Sequence, residues 1–103
     1  MQPFLLVLIM NIIEIDGALC ASRDDFWDNY VRQIEPDNAE GFGRNLDAFN
    51  DALAGGPGFP GVAKFVFLNS ELLKKALGDG YFDSIVETIN KWPEYLIEYK
   101  DRL

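Results

Sequence analysis

The spacing of apolar residues along the chain switches between a period of two, unbroken runs, and a period of three to four, and each switch marks an element. Asn11–Ile15 is rich in β-branched residues and ends on the turn pair Asp16-Gly17, which predicts a first strand. Ser22 opens a helix. Asp25 three residues later resembles a capping box with Asp in place of Glu, and Phe26, Trp27, Tyr30, Val31 and Ile34 form a stripe at helical spacing. Residues 35–43 carry Pro, Asn and Gly and read as a loop, followed by a short helix from Asn45 to Leu53. The next stretch, Ala54-Gly55-Gly56-Pro57-Gly58-Phe59-Pro60-Gly61, cannot hold a helix or strand interior. Phe65–Leu68 is an unbroken apolar run, the mark of a strand buried on both faces of a parallel sheet. Asn69 or Ser70 then caps a helix carrying Leu72, Leu73 and Leu77, stopped by Gly78. Beyond the turn at Asp79-Gly80, Phe82, Ile85, Val86 and Ile89 define one more helix, which Pro93 ends, and Tyr95–Tyr99 is a last strand.

The order is strand, helix, helix, strand, helix, helix, strand. Helical crossovers between successive strands place the chain in the α/β class, with a parallel three-stranded sheet, right-handed connections and about four packed helices. At 103 residues the chain is expected to form a single domain, 1–103, large enough to bury a core without staples.

The helix 45–53 carries the first candidate chemistry. Leu46, Ala48, Phe49, Ala52 and Leu53 cover one broad arc, and Asp47, Asn50 and Asp51 project from the other. Asn45 is placed to cap the first turn, and Asp47 stands where the helix dipole favours a negative charge. Asp51 has no such local reason: like charges at i, i+4 repel by a few tenths of a kcal/mol. By pattern alone the pair reads as a solvated acidic face. Asp83 and Glu87 form a second like-charged pair one turn apart, and read the same way.

Charge narrows the partners. Nine basic residues against 17 acidic ones give a net charge of −8. Nucleic acid and anionic membrane surfaces select the opposite sign, so neither is expected as partner, whereas a basic protein is. One cysteine, Cys20, allows no internal disulfide and fits a reducing cytoplasm. With no histidine in the chain, the commonest general base and the commonest metal ligand are both missing, and no cofactor, metal or catalytic set is expected. Asp24-Asp25-Phe26-Trp27-Asp28 spells the DDxxD string of prenyl-transferring enzymes, but its aromatics belong to the core stripe and first-turn acids are ordinary.

Met1–Ile9 is an apolar N-terminal segment, too short to span a bilayer and without the early positive charge of a secretory signal. Four readings stay open: an extension of the first strand, a cover for a sheet edge, a homodimer contact, or an upstream start with Met10 as the natural first residue.

The pattern Gly43-x-Asn45-Leu46-Asp47-Ala48-x-x-Asp51-x-Leu53, followed by Gly55 and by Phe59-Pro60, resembles the barstar family, bacterial inhibitors of the secreted ribonuclease barnase. Element order agrees over roughly residues 11–100. The resemblance implies a three-stranded parallel sheet packed with helices. It also implies an immunity-type role, not an enzyme's, in which the second helix and its preceding loop plug the cationic active site of a nuclease or toxin. Carried over residue by residue, Asp51 matches the aspartate that replaces substrate phosphate, and Asp47 matches a second acidic contact. Asn45 and Gly43 match loop contacts, Phe42 stands where an aromatic contact is expected, and Asn50 and Gly55 complete the implied surface. The chain departs from the family pattern where Gly41 replaces an aromatic and Asn50 and Gly56 each replace a tryptophan. The acidic contact expected from the helix after Gly80 falls nearest Thr88, beside Glu87. Aromatics dominate interface energetics, so these departures point to a partner other than barnase. The alternative implied by the same losses is a barstar-like scaffold or regulatory module without inhibitory activity.

Overall fold

A computed structural model describes residues 10–101. Three strands, β1 (Asn11–Asp16), β2 (Ala63–Leu68) and β3 (Leu96–Lys100), form a parallel sheet in the order β1-β2-β3. Five α-helices accompany it: α1 (Arg23–Arg32), α2 (Pro36–Ala39), α3 (Leu46–Leu53), α4 (Ser70–Leu77) and α5 (Tyr81–Asn90). The expected order of strands and main helices is therefore found. The difference is α2, one turn inside the segment read as a loop. Pro36 at its first position is preset for helix and lacks only a donor that would go unused, and the Asn38 and Ala39 amides close the turn on the Glu35 carbonyl at 2.9 and 3.1 Å. The readings of Met1–Ile9 lie outside the described residues. The Phe59–Pro60 bond is trans, as is every described peptide bond.

Register explains the core. Ile13, Phe65 and Ile97 stand side by side, as do Ile15, Phe67 and Tyr99. This face meets the helices through aromatic rings: Tyr30 and Phe49 lie 6.3 and 6.0 Å from Phe65, and Phe82 lies 5.0 Å from Phe67. Phe26, Trp27 and Tyr30 of the α1 stripe are buried with them, and Val31 is partly buried. Phe49–Phe65 and Phe67–Phe82 meet edge-on and Tyr30–Phe65 is stacked, and such pairs add about 0.5–1.5 kcal/mol each beyond area burial. On the other face Ile12 and Leu96 flank Lys64 and are half exposed, and Lys64 and Lys100 both pair with Glu98. These two lysines hold the Glu98 carboxyl below its ordinary range.

Long-range polar contacts tie the connections down. The Gln33 side chain bonds both the amide and the carbonyl of Glu14, filling part of the outer edge of β1. Asn69 stands at the position expected to cap α4, but its backbone is left-handed and its side chain makes no cap bond; instead its amide donates to Asp16 at 2.9 Å. Gly17 is buried where β1 gives way to a 3-10 turn. A Cβ there would lie 2.4 Å from the Asn69 carbonyl oxygen and 2.6 Å from the Leu73 nitrogen, so only glycine fits.

Candidate functional site

The acidic face is presented by α3. Asn45 is its N-cap: extended backbone lets the side chain turn in, and its oxygen accepts from the Ala48 amide at 2.8 Å. Phe49, Ala52 and Leu53 are buried, fixing the rotation of the helix about its axis. That rotation leaves Asp47 and Asp51 exposed. Among the described residues neither carboxylate has an ion pair or a side-chain hydrogen bond. The neighbouring Arg44, a left-handed residue at the loop's end, is engaged by Asp28 of α1 instead.

Two loops support this helix. In the preceding one, Phe42 turns inward and packs at 5.6 Å on Trp27 and 5.5 Å on Tyr30. It is only half buried, so the ring expected at a partner's surface spends much of its area holding the loop to α1. The other loop, 54–61, is pinned by the Gly56 amide on the Asp51 carbonyl at 2.9 Å and by the Tyr30 hydroxyl, which donates to the Gly58 carbonyl at 2.7 Å. Gly58 also donates its amide to Asn38, joining the two loops. Its φ of +94° and the 2.5 Å separating a would-be Cβ from the Phe42 ring both demand glycine. Gly43 makes a similar close approach, with Ala48 Cβ 2.9 Å from where its own Cβ would sit.

The residues singled out by sequence do not all share one place. Gly43 and Asp51 come together in a small cleft of about 180 Å³, completed by Gly41, Ala48 and Pro57. Gly55 faces away from it and lines a different cleft with Phe59 and Trp92. Asn50 is half buried, and its side-chain oxygen is buried without a hydrogen-bond partner in the described structure. Thr88 of α5 is buried too, its hydroxyl donating to the Ser84 carbonyl at 2.7 Å, while Asp83 and Glu87 are exposed along one groove with Lys74 and Tyr99. Pro57 as a wall beside Asp51 had no signal in the sequence beyond its membership of a loop. Two of the three DDxxD acids are otherwise employed: Asp25 accepts from the Ala21 amide and Asp28 holds Arg44. Among the described residues no helix is long and apolar enough to cross a membrane.

Sheet and surface together describe a small α/β protein whose exposed chemistry is a capped acidic helix set between two loops. The sequence model of one family, barstar (barnase inhibitor), matches residues 10–103, and the chain belongs to that family. At the level of the family the role is inhibition of a ribonuclease rather than catalysis. A comparison with curated proteins found no match.

Proposed function

We propose that this chain is a stoichiometric, immunity-type inhibitor whose α3 closes the cationic active site of a ribonuclease or related toxin. The observation that supports it most is the pair Asp47 and Asp51, exposed on a helix held rigid by its cap and buried face, with no cation among the described residues engaging either. A ribonuclease collects positive side chains to hold phosphate, and a carboxylate entering that pocket forms charge-assisted hydrogen bonds to them. Asp51, in the cleft beside Gly43, stands in for the phosphate; Asp47 makes the second acidic contact. Asn45 and Gly43 shape the approaching loop, Asn50 and Gly55 border it, and Phe42 adds its remaining exposed edge. The net charge of −8 steers a basic partner onto this surface.

Gly41, Asn50 and Gly56, standing where aromatics are expected, favour a target other than barnase itself. They are also what a family member serving only as a scaffold would show. Capture from the native host on the immobilised chain, with mass spectrometry of the bound protein and a ribonuclease assay of the eluate, separates the two. A small basic nuclease silenced at one-to-one ratio supports inhibition; a bound protein without nuclease activity supports the scaffold.

A further inference from the structure

Across the Ala54–Gly58 turn from Asp51 lies a second cleft, of about 370 Å³. Leu53 and Gly55 bring the end of α3 to it, Phe59 comes from the loop that follows, and Trp92, Glu94 and Tyr95 come from the connection between α5 and β3. Its volume lies within the roughly 300–1,000 Å³ of small-ligand pockets.

Three features set the charge of what it can hold. Phe59, Trp92 and Tyr95 place three aromatic rings in its wall, and aromatic faces attract cations. Glu94 is exposed at its rim, and none of its lining residues is basic. The helix end beside it is the negative pole of α3. That pole acts through its field rather than as a ligand, because its carbonyls are already taken: Tyr95 donates its hydroxyl to Leu53 at 2.7 Å, and turn amides bond Asn50 and Ala52. Tyr95 stays neutral, its pKa pushed up to about 12 by burial and then by the Glu94 carboxylate. An anion would be repelled by Glu94, and a neutral apolar group would gain nothing from that carboxylate.

We infer that this cleft receives an arginine side chain of the basic protein that α3 binds. A planar guanidinium stacks on aromatic faces and bonds a carboxylate in two-pronged fashion, which an ammonium does not. Gly55, four residues beyond Asp51, lines this cleft on the far side of the turn from the acidic face. The identity of the partner rests on the inhibitor reading; the preference for arginine rests on the cleft's own lining.

The test titrates N-acetylarginine amide into the isotope-labelled full chain and follows the indole N–H signals of its two tryptophans, Trp27 and Trp92. The expected result is a saturable millimolar shift of the Trp92 signal with the buried Trp27 signal unmoved. N-acetylcitrulline amide, the neutral isostere, binds roughly fivefold more weakly or worse, and Glu94→Gln removes that preference. Absence of a saturable shift, equal binding of citrulline, or an unchanged preference in Glu94→Gln each overturns the assignment. Since the probe needs no nuclease, failure here leaves the inhibition assay of Asp51 standing, and failure of that assay leaves this one readable.

Discussion

Gly58 is where the two site-bearing loops are locked, and Gly58→Ala tests that lock. The residue is buried, with φ at +94°, and an added Cβ would sit 2.5 Å from Cδ1 and 2.8 Å from Cγ of Phe42. Two costs follow. Holding a side chain at such a φ costs about 1–2 kcal/mol. The ring must also leave Trp27 and Tyr30, losing aromatic pair energies of about 0.5–1.5 kcal/mol each. The expected loss is about 2–5 kcal/mol, or roughly 10–25 °C in Tm for a domain of this size. Gly55→Ala is the control: its φ is +112° but nothing lies within 4 Å of the new atom, so only the backbone cost of about 1–2 kcal/mol applies. Urea unfolding of the wild type, both alanine variants, Phe42→Ala and the Gly58→Ala/Phe42→Ala double variant closes the cycle. With the ring gone the clash is gone, so a coupling of about 1–2 kcal/mol is expected between positions 42 and 58. Additive losses, or a Gly58→Ala no worse than Gly55→Ala, would show that Phe42 is not what the glycine makes room for.

Asn45→Ala should destabilise the chain by about 1 kcal/mol in urea unfolding, and Asn45→Gly by a few tenths, because the cap oxygen on the Ala48 amide is lost while the backbone remains suitable. Gly17→Ala should lack a cooperative thermal transition by circular dichroism, since the added atom meets backbone rather than a movable side chain. The alkaline limb of the stability curve belongs to two phenols. Burial raises the pKa of both Tyr30 and Tyr95, the latter to about 12, above the unfolded value near 10. The folded state therefore keeps protons that the unfolded state releases, and stability falls as pH climbs above about 10, Tyr95's share being lost by about 12. Tyr30→Phe and Tyr95→Phe should each flatten that decline in urea midpoints taken from pH 8 to 11; slopes equal to wild type would contradict it. At pH 7 Tyr30→Phe also costs about 1–2 kcal/mol by orphaning the Gly58 carbonyl.

What could be read in advance was what local chemistry decides. The caps at Ser22 and Asn45, the α1 stripe and the unbroken run of β2 all appear where their residues demand, because neighbours in sequence determine them. What escaped depends on residues brought together from afar. Asn69 turned from its cap to Asp16, 53 positions away, and Gln33 was drawn to the edge of β1, 19 positions away. Phe42 was legible as an aromatic near the site, but its packing on Trp27 and Tyr30 needed the fold. The one-turn helix at Pro36–Ala39 is too short for periodicity to register. The acidic face is a separate case. Its residues and its exposure followed from helical spacing, yet spacing alone gives a solvated surface; only the family pattern around Gly43, Asn45 and Asp51 distinguishes Asp51 from Asp83.

The most direct test of the account is therefore a comparison of those two aspartates against the nuclease captured by the chain. Residual ribonuclease activity is measured against molar ratio for wild type, Asp47→Ala, Asp51→Ala and Asp83→Ala, with circular dichroism confirming that each is folded. Wild type should titrate the enzyme one to one. Loss of a buried interfacial charge costs about 2–5 kcal/mol, so Asp51→Ala should weaken inhibition by about 30-fold or more, while Asp83→Ala stays within about twofold of wild type. Equal potency of Asp51→Ala and Asp83→Ala would contradict the claim that α3 is the surface that closes the active site.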